Sequence, residues 1–433
     1  MKGWTTYYAQ RLCSAEKAVK AVNSGNIIAF SHACGEPRVL PGELIKRAHE
    51  LSGVRIVHMV PMGEALYCNP EYAENFRHIA IFSGSPTRDA IWNNRADYIP
   101  YVFSEIPFLF ENHIPIDIAM VSVTPPDENG YCSLGVSVDY TKKVVETAKL
   151  VIAEVNRTMP RTLGDSFVHV TDIDYFVEVD LPIHELKGAE LTDTEKNVGR
   201  YVTELIEDGC CLQLGIGGIP DAVLSYLTGF HDLGVHSEMI SDGVIHLVEH
   251  GVITGKSKTL HKGKIVVCFL MGTRKFYEWV NDNPIIEMRT VDYTNNPYII
   301  SQNRKMVAIN SALEVDLLGQ VCADTLGSKQ FSGVGGQLDF VRGARMSAGG
   351  RAVIALPSLA KVGVSRIVPV LKQGAAVTTS RNDVDCVVTD YGIAYLKGKS
   401  VRERMKALID IAHPDFREDL NKKAYEVYHV LIT

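Results

Sequence analysis

An apolar run that breaks into glycines, Cys210-Cys211-Leu212-Gln213-Leu214-Gly215-Ile216-Gly217-Gly218-Ile219-Pro220, restricts the folds open to this chain more than any other feature. So short a run, with Asp208-Gly209 before it and glycines after it, reads as a buried strand. Glycine lacks a Cβ and tolerates positive φ, so the turn that follows lets backbone N–H groups approach an anion closely. Pro220 suits the first turn of a helix, and Val223, Leu224 and Leu227 give that helix an apolar stripe. The turn therefore ends at a positive helix terminus. Further along, Glu238 in His236-Ser237-Glu238-Met239-Ile240-Ser241-Asp242-Gly243 falls where a neighbouring strand would turn a carboxylate toward whatever that terminus binds.

The same plan occurs near the start of the chain. Ser24-Gly25-Asn26-Ile27-Ile28-Ala29-Phe30 followed by Ser31-His32-Ala33-Cys34-Gly35-Glu36-Pro37 repeats turn, apolar strand, small-residue loop and proline. Ile79-Ala80-Ile81-Phe82-Ser83-Gly84 parallels Ile265-Val266-Val267-Cys268-Phe269-Leu270-Met271-Gly272, and Leu150 to Val155 parallels Arg351 to Leu356. Two related α/β halves account for these echoes. Short apolar runs alternating with helical patterns, such as Cys386-Val387-Val388, predict mainly parallel sheets with crossover helices. The polar stretch Asp180 to Gly188 predicts a linker, which divides the chain into domains 1–188 and 189–433. Just beyond it Thr192-Asp193-Thr194-Glu195 is a capping box, and Val198, Tyr201, Val202, Leu205 and Ile206 continue at helical spacing as far as Asp208-Gly209. The last clear helical pattern, Val401 to Ile411, carries Met405, Leu408 and Ile411 on one face and is expected to cover the second sheet.

At 433 residues the chain exceeds what one core supports, which agrees with two domains. A net charge of −7 without any basic run argues against nucleic acid or an anionic membrane as partner. Met1 to Tyr8 lacks the apolar core of a signal peptide, and no apolar stretch reaches the roughly 18 residues of a membrane span, so the expected compartment is the cytoplasm. Nine cysteines are scattered without a C-x-x-C pair and read as reduced core residues, and His32, His58, His236 and His246 lack metal-ligand spacing. No metal site is expected.

Five motifs occur in order: Gly215 to Pro220, Glu238 in its Ser-Glu-Met-Ile-Ser-Asp-Gly setting, Asn310-Ser311-Ala312-Leu313-Glu314-Val315-Asp316, Gly333-Val334-Gly335-Gly336-Gln337-Leu338-Asp339-Phe340, and Val384 to Gly392. Together with Pro160-Arg161-Thr162-Leu163-Gly164-Asp165-Ser166, they make the chain resemble, over essentially its whole length, the acetyl-CoA hydrolase/transferase family of class I CoA-transferases. The resemblance implies two α/β domains facing across a cleft, with coenzyme A held by glycine loops of the second domain. It implies Glu238 as nucleophile, Asn310 near the glutamyl carbonyl, and Lys361 in contact with coenzyme A. It also implies acetyl-CoA and a short-chain acid as substrates, no permanently bound cofactor, and a homodimer or higher oligomer.

A carboxylate nucleophile suits such chemistry because attack on an acyl-CoA gives a mixed anhydride and a thiolate, which returns to form a glutamyl thioester. The oxyanions of the tetrahedral states need donors, and backbone N–H groups of a glycine loop supply them. Gly335 and Gly336 are the expected oxyanion hole. Gly215, Ile216, Gly217, Gly218 and Ile219, with Gly333, are expected to hold the pantetheine or phosphates. Glu36, Pro37, Met62, Gly63 and Tyr67 are expected walls of an acyl pocket in the first half. The same glycines also suit tight strand-to-helix packing, and Arg161 with Asp165 suits a structural ion pair at the domain junction. Hydrolysis of the thioester, or binding of coenzyme A without catalysis, are the competing functions.

Overall fold

The computed structural model describes residues 3–188, 190–360 and 363–432. The chain divides into two compact units. Residues up to Lys187 together with Val266–Thr294 form the first, and Gly188–Ile265 with Asn295 onward form the second. The chain thus leaves the first unit after Lys187 and returns to it for Val266–Thr294.

The first unit is built on seven parallel strands: β1 (Ile27–Phe30), β2 (Val54–His58), β3 (Phe76–Ala80), β4 (Ala96–Tyr98), β5 (Ile118–Val123), β6 (Leu150–Asn156) and β7 (Tyr175–Val179). Their order is β4-β3-β2-β1-β5-β6-β7. All six residues of β5 are buried, as expected of a strand covered on both faces. Phe30, Leu40, Leu44, Ile56, Phe76, Met120 and Ile152 form part of one continuous core cluster.

In the second unit β8 (Cys211–Leu214), β9 (Gly234–His236), β10 (Met306–Ser311), β11 (Arg351–Ala355), β12 (Cys386–Thr389) and β13 (Gly392–Tyr395) lie in the order β9-β8-β10-β11-β12-β13. All these pairings are parallel except the last. The two sheets share a plan. In each, the first strand (β1 or β8) has its successor on one side and a later strand (β5 or β10) on the other, so the strand order reverses beside it. Ligands of open α/β sheets bind outside the carboxyl ends of the strands at such a reversal.

Helix α1 (Asp193–Thr203) starts with the predicted capping box: Thr192 Oγ1 accepts from Glu195 N at 3.2 Å and Glu195 Oε2 accepts from Thr192 N at 2.8 Å. It stops at Thr203, earlier than the apolar spacing suggests, and Leu205 and Ile206 are buried in the connection to β8. Met405, Leu408 and Ile411 are buried, so the helix Val401–Asp410 presents the expected face. A further helix, Pro414–Tyr428, follows it and went unpredicted, because only Leu420 and Ala424 along its length are buried.

Arg161 and Asp165 do not pair with each other. Gly164, at φ +96°, turns the chain between them against the backbone of Met288. Arg161 Nη1 instead reaches Asp282 Oδ1 at 2.7 Å, and Asp165 accepts from Arg289 Nη1 at 3.3 Å. Of the expected acyl walls, Tyr67 is core rather than wall, being buried with its hydroxyl 3.1 Å from His58 Nδ1. Glu36 is buried as well. Its carboxyl accepts from Met62 N at 2.7 Å and Gly63 N at 2.8 Å, and burial pushes its pKa up against those two bonds.

The first unit also buries neutral histidines. Burial holds His58 well below the usual 6.5, with His78 and His32 adding to the effect, and brings His78 down to about 4. His184 falls to about 4 through burial and the neighbouring Arg38. Between pH 6.5 and about 4 the unfolded chain therefore binds more protons than the folded one. The stability these groups contribute is complete above pH 6.5 and is lost as the pH falls toward 4. Thermal melts should show this acid limb, and His78→Phe should make it shallower; an unchanged slope would show that His78 does not titrate there.

Candidate active site

Three parallel strands of the second unit bring their carboxyl ends to one edge. The strand β8 runs out at Leu214 into Gly215-Ile216-Gly217, and β9 runs out at His236 into Ser237-Glu238. Ser237 ties the two together. Its hydroxyl donates to Leu214 O at 3.1 Å and accepts from Leu214 N at 3.3 Å, which fixes Glu238 beside the glycine turn. The third, β10, ends at Asn310-Ser311.

Helix α2 (Gly218–Tyr226) begins at that turn, and its three glycines have three different reasons to be glycine. Gly217 precedes the helix at φ +110°, a conformation a side chain would strain. At Gly218 a Cβ would overlap Glu195 Oε1, so this glycine lets α2 pack on the capping box of α1. Gly215 has neither constraint: the nearest atom to a Cβ there is Pro220 Cγ at 4.0 Å. The open space above Gly215 suits a ligand. Ile216, at the tip of the turn, is 47% exposed and offers an apolar contact, whereas Ile219 is buried in the first turn of the helix. The turn is a poor place for phosphate, because Asp221, in the first turn of α2, is pushed up by burial and by the negative charges of Asp242 and Glu195.

The second glycine loop meets Glu238 directly. Gly335, buried and at φ +54°, turns the chain into Gly336, which caps helix α3 (Gln337–Met346). A Cβ on Gly336 would overlap both Glu238 Oε2 and Asn295 Nδ2. The half-buried Glu238 carboxylate thus rests on bare backbone at the positive end of a ten-residue helix. Asn295 Nδ2 donates to Glu238 Oε2 at 2.8 Å from a fully buried position. A bond from an amide to a carboxylate is charge-assisted, and it fixes the direction of that oxygen.

Of the residues named from sequence, Glu238, Gly335 and Gly336 come together here, and Gly333 lies buried at the head of the same loop. Asn310 stands at the same sheet edge, but its amide donates to Gln213 Oε1 at 3.1 Å. Asn295 was missed: it sits in Thr294-Asn295-Asn296-Pro297, which reads only as a helix cap, and nothing in its spacing links it to Glu238. Lys361 lies outside the described residues. Among the described residues no group of three His, Cys, Asp or Glu side chains could hold a metal ion.

The chain matches the model of the acetyl-CoA hydrolase/transferase N-terminal domain over residues 2–183 and that of the C-terminal domain over residues 272–424. The chain belongs to the acetyl-CoA hydrolase/transferase family. It is 57% identical over 419 residues to the 4-hydroxybutyrate coenzyme A transferase of Clostridium kluyveri, an alignment covering 96% of this chain and 98% of the other. Among solved structures it resembles the 4-hydroxybutyrate CoA-transferase of Porphyromonas gingivalis, at 42% identity and TM-score 0.85 over 98% of this chain and 99% of the other. It also resembles RipA from Yersinia pestis, at 35% identity and TM-score 0.93 over 99% and 100%.

Within this family member the seat of Glu238 can be tested by its two supports. Gly336→Ala should displace the carboxylate and lower kcat on the order of 10²-fold, since a shift near 1 Å costs that much in a reaction that depends on alignment. Asn295→Ala should lower kcat by about 10-fold or more through loss of one charge-assisted bond, with circular dichroism unchanged. Wild-type turnover in both variants would show that the seat does not matter to the chemistry.

Proposed function

We propose that this chain is a CoA-transferase that moves coenzyme A between acetyl-CoA and a short-chain acid, 4-hydroxybutyrate in the first instance, through a glutamyl-CoA thioester on Glu238. The observation that carries the reading is the carboxylate of Glu238 seated on Gly336 at the start of α3 and oriented by Asn295. The choice of acid follows the relatives from Clostridium kluyveri and Porphyromonas gingivalis, both named for 4-hydroxybutyrate.

In this scheme a Glu238 oxygen attacks the acetyl carbonyl, the C–S bond breaks, and the coenzyme A thiolate leaves a mixed anhydride. The thiolate then attacks the glutamyl carbonyl, the C–O bond breaks, and acetate departs from a glutamyl thioester. The acid repeats both steps in reverse: its carboxylate attacks the thioester, and the returning thiolate takes the acyl group. Atoms balance without a proton or an electron from outside. Each step passes through a tetrahedral oxyanion, and the backbone N–H groups of Gly335 and Gly336 supply its donors, each stabilising it by about 3 kcal/mol. Asn295 serves twice, orienting the free carboxylate and then polarising the thioester carbonyl that replaces it. The open face of Gly215 and the exposed Ile216 receive the pantetheine arm. The reading places the enzyme in the cytoplasm with its substrates, as a homodimer or higher oligomer with no resident cofactor.

Incubation with acetyl-CoA alone should add the mass of coenzyme A less one water to Glu238, visible by intact-protein and peptide mass spectrometry. Glu238→Ala should neither form the adduct nor transfer coenzyme A while keeping its fold. Glu238→Asp withdraws the carboxylate by about one methylene, leaving space for water, and should lose roughly 10²-fold or more in transfer while gaining thioesterase activity. Full transfer by Glu238→Ala would remove the nucleophile from the scheme.

A further inference from the structure

The anionic end of acyl-CoA and the carboxylate of the acid both require a cation, and the acidic surroundings of the β8 turn do not provide one. Further along the same sheet edge stands Arg366. Its backbone is pinned on both sides: Arg366 N donates to Ser358 O at 2.9 Å, just beyond β11, and Arg366 O accepts from Val315 N at 2.8 Å. Its Nη1 donates to Ala312 O at 3.0 Å, one residue beyond the end of β10. The guanidinium therefore sits over the carboxyl ends of β10 and β11.

The rest of that guanidinium is unsatisfied. Nε is buried and has no hydrogen-bond acceptor. Burial alone acts on the pKa of Arg366, pushing it down, and no carboxylate contributes. Arg366 as a whole is half-buried, so its charge is partly desolvated with no carboxylate beside it, and an anion from outside would gain by pairing with it. Nη1 is engaged with Ala312 and Nε is enclosed, which leaves the Nη2 end of the half-exposed guanidinium for an oxygen of a carboxylate or phosphate.

We infer that Arg366 binds an anionic group of a substrate, a phosphate of acyl-CoA or the carboxylate of the acid, at the carboxyl edge of the second sheet. The inference rests on the reading of this chain as a CoA-transferase. Three strand intervals separate β9 from β11, about 14 Å in all, so an anion on Arg366 lies roughly one pantetheine arm along the edge from Glu238. Two features distinguish this role from a structural one. A structural arginine would have its donors satisfied within the protein, and its loss would destabilise the fold. Removal of a half-buried charge that has no counter-ion should leave stability unchanged or higher.

The test uses Arg366→Gln and Arg366→Lys in the full chain. Arg366→Gln should melt no lower than the wild type. Either its Kd for coenzyme A by calorimetry or its KM for 4-hydroxybutyrate should rise roughly 10- to 100-fold, the effect of one lost charge-assisted bond, with kcat little changed and partial recovery in the Lys variant. If the Kd for coenzyme A rises, and the two enzymes become equal with S-acetyl-N-acetylcysteamine as donor, the arginine reads phosphate. If only the KM for the acid rises, it reads the carboxylate. Unchanged constants in both arms, or a lower melting temperature with unchanged constants, overturn the inference. Should the wild type bind coenzyme A but form no adduct on Glu238, the transferase reading fails, while the calorimetric arm still decides the role of Arg366.

Discussion

The seat of Glu238 on Gly336 is the contact on which the rest of the site depends. A carboxylate can rest against backbone only where no Cβ intervenes, and here it also meets the first turn of α3, the positive end of that helix. In the proposed scheme the donors that hold the carboxylate also stabilise the oxyanion formed on it, so one piece of backbone serves both the resting and the reacting group. Such donors are fixed by the helix and need no reorganisation during reaction. Asn295 adds a bond whose direction is set from a fully buried position.

What holds that seat is the sheet. Buried parallel strands put their carboxyl ends on one edge, and the strand order reverses beside β8, the position at which open α/β sheets bind ligands. Ser237, bonded to both backbone groups of Leu214, couples the end of β9 to the end of β8. Charge is unevenly distributed along this edge. Asp221, Asp242 and Glu195 surround the start of α2, and Arg366 lies over β10 and β11. In the proposed function the apolar contact at Ile216 and the cation two strands beyond β8 divide the binding of a long, partly charged substrate between them.

The first unit uses the same topology for a different purpose. The loop after β1 contains one glycine where the loop after β8 contains three, and a Cβ on Gly35 would lie 2.6 Å from Ser137 Cβ, so even that glycine serves packing. Around it are buried histidines, Glu36 bound by two N–H groups, and aromatic rings including Phe103 and Phe269 against His32. The loop after β1 is packed shut, and the loop after β8 is open at Gly215.

Sequence alone determined the elements whose cause is local. Strands buried on both faces, the capping box at Thr192, the turn at Gly217 and the helix after Pro220 follow from short-range sterics and burial, and the echo between Asn26 to Pro37 and Cys210 to Pro220 announced the two matching sheets. The order of motifs singled out Glu238 and Gly335-Gly336. Local cause is also why the helix Pro414–Tyr428 was missed, since two buried residues make too weak a period. Tertiary structure alone decided which residues meet. The partner of Glu238 is Asn295, 57 residues away; Asn310 bonds Gln213 across neighbouring strands; Arg161 and Asp165 find separate partners. Gly218 proves to be a packing glycine and Gly215 an open one, although the two look alike in the chain. Contacts between distant segments depend on how strands are ordered in the sheet, and that order is set by the burial of the whole core, which no local pattern encodes.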